Sequence, residues 1–255
     1  MVKLIKSQVD ILALSGAERT RFFDEWFDLY NEIFDGFDRP GLEAYYGDPN
    51  SSQIRMQVMR APDGTMVGFN AVRLYPVEID GKERDAFRST AGMKREYRGG
   101  SSTIAFGLQL AVAYKIKHPF RAVYYFGSML HPSSYYVLSK YAYEMWPRHD
   151  RETPPKIDRL IASLAEARGY EFDDPPSPYV RLASERTREA EEEPEFWRTS
   201  DNPVIRFFLR TNPRYAEGRG LITLVPLTWT NLILSSVKFG AAMLGRKLGL
   251  AKKRR

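Results

Sequence analysis

The 255-residue sequence contains no cysteine and only three histidines. Without cysteine there is no disulfide, no thiolate metal ligand and no thiol nucleophile. The histidines, His118, His131 and His149, have no ligand-like spacing, so we expect no metal site. Lys6 and Asp10 interrupt the apolar residues near the amino terminus, so we expect no secretory signal. These absences predict a cytoplasmic location.

The sequence also lacks a general excess of positive charge. Of its 38 basic side chains, six lie in residues 246–255, and the remaining 32 are balanced by 32 acidic residues. Proteins that read nucleic acid usually spread lysine and arginine over a binding face, so no nucleic-acid partner is expected. The alternative, an enzyme that modifies nucleic acid and holds it with this tail, predicts binding that weakens steeply with salt.

Apolar residues make up 43% of the chain, which is enough for a packed core. In the first part of the sequence, apolar residues three and four apart predict a helix over 17–35. Alternating patterns separated by Asp-Gly turns predict three strands, 53–60, 66–79 and 84–93, that form an antiparallel meander. The intervening segment 36–49, with three glycines and two prolines, is predicted to be a loop.

The pattern changes after the meander. Helices are predicted over 101–117 and 133–143, and a short apolar segment between them, 122–129, is predicted to be a buried strand. This order of elements after a meander predicts an α+β domain in which the chain crosses back onto its own sheet.

The last third of the sequence has a weaker pattern. We predict a helix over 156–168, a solvated charged segment over 184–195, strands over 203–209 and 221–227, and an apolar helix with a basic end over 228–253.

The most informative segment is a glycine-rich turn, Met93–Thr103 (MKREYRGGSST), which follows a predicted strand and begins a helix. The first amides of a helix have no internal partners and lie at the positive end of the helix dipole. Glycines let a phosphate approach the backbone closely. The turn therefore indicates a phosphate or pyrophosphate site, although such turns also occur for purely structural reasons.

Two motifs here resemble those of the GNAT acyltransferase superfamily. Glu96-Tyr97-Arg98-Gly99-Gly100 matches the opening of the family's motif A, with Ser101 and Thr103 where the family more often has glycine. Residues 131–143 (HPSSYYVLSKYAY) match the frame of its motif B, with His131 at the position of the family's asparagine. One helix and one strand separate the motifs, as in the family, and the resemblance covers residues 53–145.

The resemblance implies an α+β fold with a GNAT-like mixed central sheet, in which an antiparallel meander is followed by β-α-β-α. The residue pattern adds an apolar C-terminal helix. Together with the residue pattern, the resemblance leads us to expect an acyltransferase domain over 1–215 with its core at 53–145, followed by a strand and an amphipathic helix with a basic tail over 216–255. The size and the tail favour the end of the family that holds the long-chain N-acyl amino acid synthases and the acyl-homoserine lactone synthases.

The resemblance also implies an activity, the transfer of an acyl group to an amine such as an amino acid or another small amine. The donor would be acyl-CoA or acyl carrier protein, with its pantetheine between strands 84–93 and 122–129 and with no tightly bound cofactor. The residues implied to bind the donor are Met93, Lys94, Arg98, Gly99, Gly100, Ser101, Ser102, Thr103 and Ser134.

Three side chains are candidates for catalytic proton transfer. His131 follows the inner strand, and histidine is a residue type well suited to act as a general base, although His131 also suits the start of a helix. Leu138 replaces a tyrosine that in many family members protonates the leaving thiolate, and Tyr135 is a candidate substitute, with the neighbouring Tyr136 as the alternative. Glu96 is either a base or a surface residue. The missing tyrosine and glycines also fit a second hypothesis, a non-catalytic GNAT-fold binding or scaffold protein at a membrane.

The C-terminal segment carries no charge from Gly220 to Val237 and ends in basic residues. This combination predicts that 228–255 contacts an anionic membrane surface, at the inner face of the membrane. Docking on the body of the protein or on a second protomer, and a true membrane span, are the alternatives. The sequence leaves the oligomeric state open.

Overall fold

A mixed sheet forms the centre of the structure. The computed structural model describes residues 3–48, 50–98, 103–172 and 177–248, and within them seven strands form this sheet and two more form a separate antiparallel pair. The strands are β1 Ile5–Asp10, β2 Phe34–Asp35, β3 Gln53–Arg60, β4 Met66–Ile79, β5 Lys82–Met93, β6 Val123–Met129, β7 Val180–Leu182, β8 Arg186–Thr187 and β9 Arg219–Pro226.

The sheet has the strand order β1-β3-β4-β5-β6-β9-β7, and β2 pairs separately with β8. All neighbours are antiparallel except β5 and β6, which are parallel. The α+β fold class and the antiparallel meander over 53–93 are therefore confirmed. The edge strand β1 was not predicted, because its polar sequence IKSQVD has no continuous apolar alternation.

Tight turns set the register of the meander. The turn between β4 and β5 consists of Asp80 and Gly81, which both have positive φ values, 52° and 67°. Two-residue hairpin turns with this conformation match the twist of the strands that they join, which explains the Asp-Gly sequence. The strands on either side pair continuously from Ile79–Lys82 to Gly68–Met93.

Helices cover both faces of the sheet. They are α1 Gly16–Ile33, α2 Arg39–Tyr46, α3 Thr103–Lys117, α4 Pro132–Tyr141, α5 Pro155–Ala167, α6 Glu193–Arg198, α7 Pro203–Thr211 and α8 Trp229–Lys247. Helices α3, α4, α7 and α8 share one apolar core with the sheet, and we call this side the α3 face. Helices α1, α2 and α5 pack on the opposite side, which we call the α1 face.

Strand β9 inserts between β6 and β7, so the C-terminal part of the chain completes the sheet. It pairs with β6 from Tyr124–Pro226 to Met129–Leu221. The domain boundary placed between residues 215 and 216 stays a prediction, but the strand that follows it is hydrogen-bonded into the same sheet as the meander.

Two predicted elements are wrong. Residues 203–209 form the helix α7 and not a strand, because the Asn202 side chain accepts a hydrogen bond from the Val204 amide and Pro203 occupies the first turn. The buried residues of α7 are Ile205 and Phe208, three apart, as a helix requires. The predicted loop 36–49 contains α2, which Asp38 caps through the Gly41 amide.

The C-terminal helix α8 lies where the apolar helix was predicted. In this helix, the side chain of Leu232 is buried in the core of the α3 face, whereas the side chains of Ile233 and Val237 are exposed. Across the described ranges of the chain, no helix is both long enough and apolar enough to cross a membrane.

Trp26 on α1 is the centre of the core on the α1 face. Its ring is fully buried and contacts the rings of Phe22, Phe23, Tyr46 and Phe69. This cluster holds α1 and α2 against the meander.

Replacement of Trp26 by alanine is expected to lower the free energy of unfolding by about 3–5 kcal/mol, because it leaves a cavity in this core. Urea unfolding followed by circular dichroism measures the loss. The control is Phe120→Ala, since Phe120 is 99% exposed, and there we expect a change within about 0.5 kcal/mol. Similar losses for the two variants would contradict this description of the core.

Candidate active site

The parallel pairing of β5 with β6 is short. It joins Asp85–Phe87 to Val123–Tyr125 and then stops, whereas β6 remains paired with β9 as far as Met129. From Arg88 onward the two neighbouring strands are therefore separated by a gap. This confirms the expectation that strands 84–93 and 122–129 leave space between them.

Contacts on either side of β6 explain why it leaves β5. The Tyr75 hydroxyl donates to the Phe126 carbonyl at 3.3 Å and so occupies a main-chain acceptor of β6. On the other side, Gly220 lets β9 approach closely, because a Cβ at that position would lie 2.8 Å from Ser128 Cβ. Beyond Tyr125, strand β6 therefore stays paired with β9 and is no longer paired with β5.

The gap exposes main-chain donors of β5. The Asp85 amide donates toward β6, to the Ala122 carbonyl at 3.3 Å, and the Lys94 amide donates the opposite way, to the Val67 carbonyl at 2.9 Å. Because successive residues of a strand alternate in direction, the amides of Ser89 and Ala91 point toward β6. The ladder has already ended there, so these amides are available to an extended ligand with carbonyl groups.

A cavity of about 590 Å³ passes through the sheet at this gap. On the α3 face its wall is mainly apolar and includes Val72, Phe87, Leu108, Ala111, Leu138, Leu227 and Leu232. On the α1 face its wall includes Arg88 and Glu185, which are both buried. The cavity is therefore apolar at one end and charged at the other.

The predicted phosphate-binding turn lies at one end of the gap. Arg98 lines the cavity, donates from Nε to the Met93 carbonyl at 3.1 Å and forms an ion pair with Glu193 at 3.3 Å. Thr103 begins α3 and also lines the cavity. Gly99, Gly100, Ser101 and Ser102 lie outside the described residues, so their predicted contacts with a phosphate stay a prediction.

The other residues expected to bind the donor differ in position. Met93 and Ser134 line the cavity, and the Ser134 hydroxyl donates to the His131 carbonyl at 2.7 Å. Lys94 is not part of the wall, because its ammonium group pairs with Glu32 at 2.7 Å on the outside of the structure.

His131 lies at the cavity wall between two polar side chains. Its Nδ1 is 2.7 Å from Ser133 Oγ, and its Nε2 is 2.9 Å from Glu189 Oε1. The Tyr215 hydroxyl donates to the same Glu189 oxygen at 3.0 Å. His131 is only 5% exposed, and Trp197 packs against its ring. A buried serine–histidine–glutamate chain therefore reaches the cavity through Ser133.

The hydrogen bonds show which atoms of Ser133, His131 and Glu189 carry the protons. The Ser133 amide points at Nδ1 of His131 from 3.3 Å, so Nδ1 is an acceptor and Nε2 carries the hydrogen donated to Glu189. The Ser133 hydroxyl then donates to Nδ1. Burial and the neighbouring Glu189 carboxylate raise the pKa of Tyr215, which keeps its hydroxyl protonated as a donor. His131 is thus arranged to accept a proton by way of Ser133 Oγ.

Tyr135 and Glu96, the other two catalytic candidates, do not join His131. The Tyr135 side chain is fully buried, and its hydroxyl donates to the Pro147 carbonyl at 2.9 Å. Burial also raises the pKa of Tyr135. Glu96 is exposed on a short 3-10 turn, and neither side chain belongs to the cavity wall. Leu138, which replaces the expected tyrosine, does line the cavity.

Two functional candidates come from a segment predicted to be solvated. Glu185 and Glu189 both lie within residues 184–195, yet Glu185 is 4% exposed and the Glu189 side chain 10% exposed. The prediction of a solvated segment is wrong at these positions because each carboxylate has buried partners, Tyr30 for Glu185 and His131 for Glu189.

Comparisons with known proteins give weak similarities to solved structures. No protein-family model matches the sequence, and no curated protein matches it at a significant level. A conserved protein of unknown function from Enterococcus faecalis V583, described as a probable N-acyltransferase, is 14% identical, with a TM-score of 0.37 over 58% of this chain and 37% of the other. This chain therefore spans well under half of the length of that protein.

Two other solved structures are similar at the same level. The Arabidopsis thaliana protein NAA60 in complex with acetyl-CoA is 14% identical, with a TM-score of 0.38 over 58% of this chain and 90% of the other. A ribosomal-protein-alanine N-acetyltransferase from Brucella melitensis biovar Abortus 2308 is 16% identical, with a TM-score of 0.29 over 48% of this chain and 78% of the other. At this level of similarity, function has to be argued from the site itself.

Proposed function

We propose that this protein is an acyltransferase that moves an acyl group from acyl-CoA or acyl carrier protein to an amine. The observation that carries the proposal is the gap between β5 and β6. Pantetheine is an extended chain with two amide groups, so it can lie along the free edge of β5 and bond to the amides of Ser89 and Ala91. The diphosphate of CoA would then lie toward Arg98 and the start of α3.

The apolar part of the cavity supports a donor with a chain longer than acetyl. Side chains from β5, α3 and α8, among them Phe87, Ala111 and Leu232, line the wall on the α3 face. An acetyl group would leave most of this wall in contact with water. Each methylene group buried there adds about 0.8 kcal/mol of binding free energy, so longer acyl chains should bind more tightly.

Ser133 and His131 would serve the proton transfer. The amine nitrogen attacks the thioester carbonyl, the carbon–nitrogen bond forms and the carbon–sulfur bond breaks. The proton that the nitrogen loses passes to Ser133 Oγ while the Ser133 proton passes to His131 Nδ1, and the proton is then returned to the leaving thiolate. Glu189 stabilises the imidazolium that forms, as its hydrogen bond to Nε2 allows.

The absence of cysteine makes a direct test of donor binding possible. A single thiol introduced by Ala91→Cys would lie at the edge of the gap, and we expect decanoyl-CoA or palmitoyl-CoA to slow its reaction with a thiol reagent at least tenfold. The matched control is Phe120→Cys, whose thiol is exposed elsewhere and should react at the same rate with or without donor. Mass spectrometry measures labelling, and transfer to a panel of amines is measured by thiol release.

The outcome distinguishes the two functional hypotheses. If acyl-CoA protects the Ala91→Cys thiol and amides form, the protein is an acyltransferase. Protection without any turnover would support the non-catalytic binding protein instead. If neither CoA, acyl-CoA nor acyl carrier protein alters the labelling rate, the proposal that the gap binds a pantetheine donor is wrong.

Loss of the proton relay should slow turnover and leave donor binding intact. We expect His131→Ala and Ser133→Ala to lower kcat by about 10²–10⁴-fold, the usual contribution of general acid–base catalysis. Glu189→Gln should cause a smaller loss and displace the pH profile of kcat, because it removes the charge beside His131. The control is His118→Ala, an exposed histidine outside the cavity wall. Unchanged kcat in His131→Ala would rule out this relay.

We also propose that α8 contacts an anionic membrane surface. Its outer side carries a stripe of exposed apolar side chains, Trp229, Ile233, Val237 and Leu244, and Leu248, directly after the helix, is exposed as well. In sequence, this stripe is followed by Lys252, Lys253, Arg254 and Arg255. An apolar helix face beside basic residues is the arrangement that binds negatively charged lipid headgroups.

Vesicle sedimentation tests this contact. Binding to vesicles containing phosphatidylglycerol is expected, with little binding to pure phosphatidylcholine and a decrease at high salt. The double substitution Ile233→Ser and Val237→Ser should reduce binding several-fold, whereas Ile5→Ser, on the exposed edge strand β1, should not. Equal partitioning of all variants would show that α8 is not the lipid contact.

A further inference from the structure

The α1 face of the sheet holds more buried positive than negative charge beside the cavity. Three guanidinium side chains, Arg73, Arg88 and Arg181, are each less than a tenth exposed, and Glu185 is the comparably buried carboxylate among them. Arg73 and Arg88 are direct cross-strand neighbours on β4 and β5. Like charges at such positions repel each other, so this arrangement needs compensating contacts.

Two of the three arginines have those contacts within the protein. Arg73 donates to the Tyr45 carbonyl, stacks over the Tyr45 ring at 4.3 Å and faces Asp48 at 4.0 Å. Arg181 donates from Nε to Ser128 Oγ at 2.6 Å and lies over the Tyr170 ring at 4.2 Å. Both are held by neighbouring side chains and main chain, and neither belongs to the cavity wall.

Arg88 also has an aromatic contact, since its Cζ lies 5.5 Å from the centroid of the Tyr45 ring, but it differs from both in its polar contacts. It lines the cavity, and its closest carboxylate oxygen, Glu185 Oε1, is 3.9 Å from Nη2, beyond hydrogen-bond distance. The second oxygen of Glu185 accepts a hydrogen bond from the Tyr30 hydroxyl at 2.7 Å. Over residues 3–48, 50–98, 103–172 and 177–248, the Arg88 guanidinium forms no hydrogen bond with the protein, and Glu185 is the carboxylate that it faces.

A guanidinium has five N–H donors, and leaving them unpaired in a buried site is costly. Glu185 compensates part of the charge of Arg88 without using its donors. Because Arg88 lines the cavity, a ligand bound there can supply the partner for these donors, and oxygens with negative charge suit a guanidinium. Carboxylate and phosphate groups fit best, because two of their oxygens can bind the two parallel N–H groups of one guanidinium.

We propose that Arg88 binds an anionic group of the acyl acceptor, so that the acceptor is an amine that also carries a carboxylate or a phosphate. This inference rests on the proposed acyl transfer, because it takes the ligand on the α1 face to be the amine. Arg88 and the Ser133–His131 relay line the same cavity. An amino acid or a phosphorylated amine can bind Arg88 with its anion and present its nitrogen to the relay and the thioester.

Pairs of amines that differ in this anion provide the test. With decanoyl-CoA as donor, we compare glycine with glycinamide, phenylalanine with phenylalaninamide, and phosphoethanolamine with ethanolamine. The wild-type protein should show at least a tenfold higher kcat/KM for the anionic member of one or more pairs. The pair with the greatest preference identifies the anion as carboxylate or phosphate.

Arg88→Met should abolish this preference through a higher KM for the anionic amine, so that the anionic and the uncharged member of a pair react with similar kcat/KM. Arg88→Lys should retain part of the preference, since it keeps the charge but not the fork of donors. The control is Arg21→Met, an exposed arginine on α1. Donor protection of the Ala91→Cys thiol, measured in the Arg88→Met background, shows that the variant is folded and that its gap is intact.

Binding of the anionic amines, measured as a rise in melting temperature, gives a second readout that needs no turnover. The rise is expected in the wild-type protein and should be absent in Arg88→Met. Equal use of charged and uncharged amines by the wild-type protein, or a preference or a rise that persists in Arg88→Met, would overturn the role of Arg88. Failure of every donor to bind or react would instead overturn the proposed acyl transfer.

Discussion

The pairing of β5 with β6 ends after three residue pairs, and the candidate site lies along the gap that follows. Main-chain amides inside a protein are nearly always hydrogen-bonded, so a strand edge that opens onto an internal cavity needs an explanation. Here the gap has identifiable causes, the hydroxyl of Tyr75 on the Phe126 carbonyl and the close approach of β9 at Gly220. The first contact occupies an acceptor of β6, and the second keeps β6 close to β9.

The gap also connects two unlike environments. On the α3 face, side chains such as Leu108 and Leu232 form an apolar wall, and on the α1 face Arg88 and Glu185 form a charged one. A thioester held within the sheet would extend its acyl chain toward the apolar wall and meet its acceptor from the charged side. The Ser133–His131–Glu189 chain reaches the same cavity. The division of the cavity by the sheet therefore explains how one site can bind an apolar and a polar substrate together.

Local sequence signals predicted the meander, α3, β6 and α4 because each has a clear period and a turn or cap at its ends. They failed for residues 203–209, because a short apolar segment fits a strand or a helix equally well and the packing of α7 against α4 decides. They also failed for Glu185 and Glu189. The local sequence does not distinguish Glu185 and Glu189 from the exposed Glu191, because the burial of the first two depends on partners that are distant in sequence. His131 was found from its place after a strand, but its relay through Ser133 needed the three-dimensional structure.

A crystal structure with a non-hydrolysable thioether analogue of decanoyl-CoA tests the central claim most directly. The account predicts that the pantetheine lies between β5 and β6, hydrogen-bonded to the amides of Ser89 and Ala91, with the acyl chain against Phe87 and Leu232. A complex in which the two strands pair along their full length, or in which the analogue binds elsewhere with the gap empty, would contradict it.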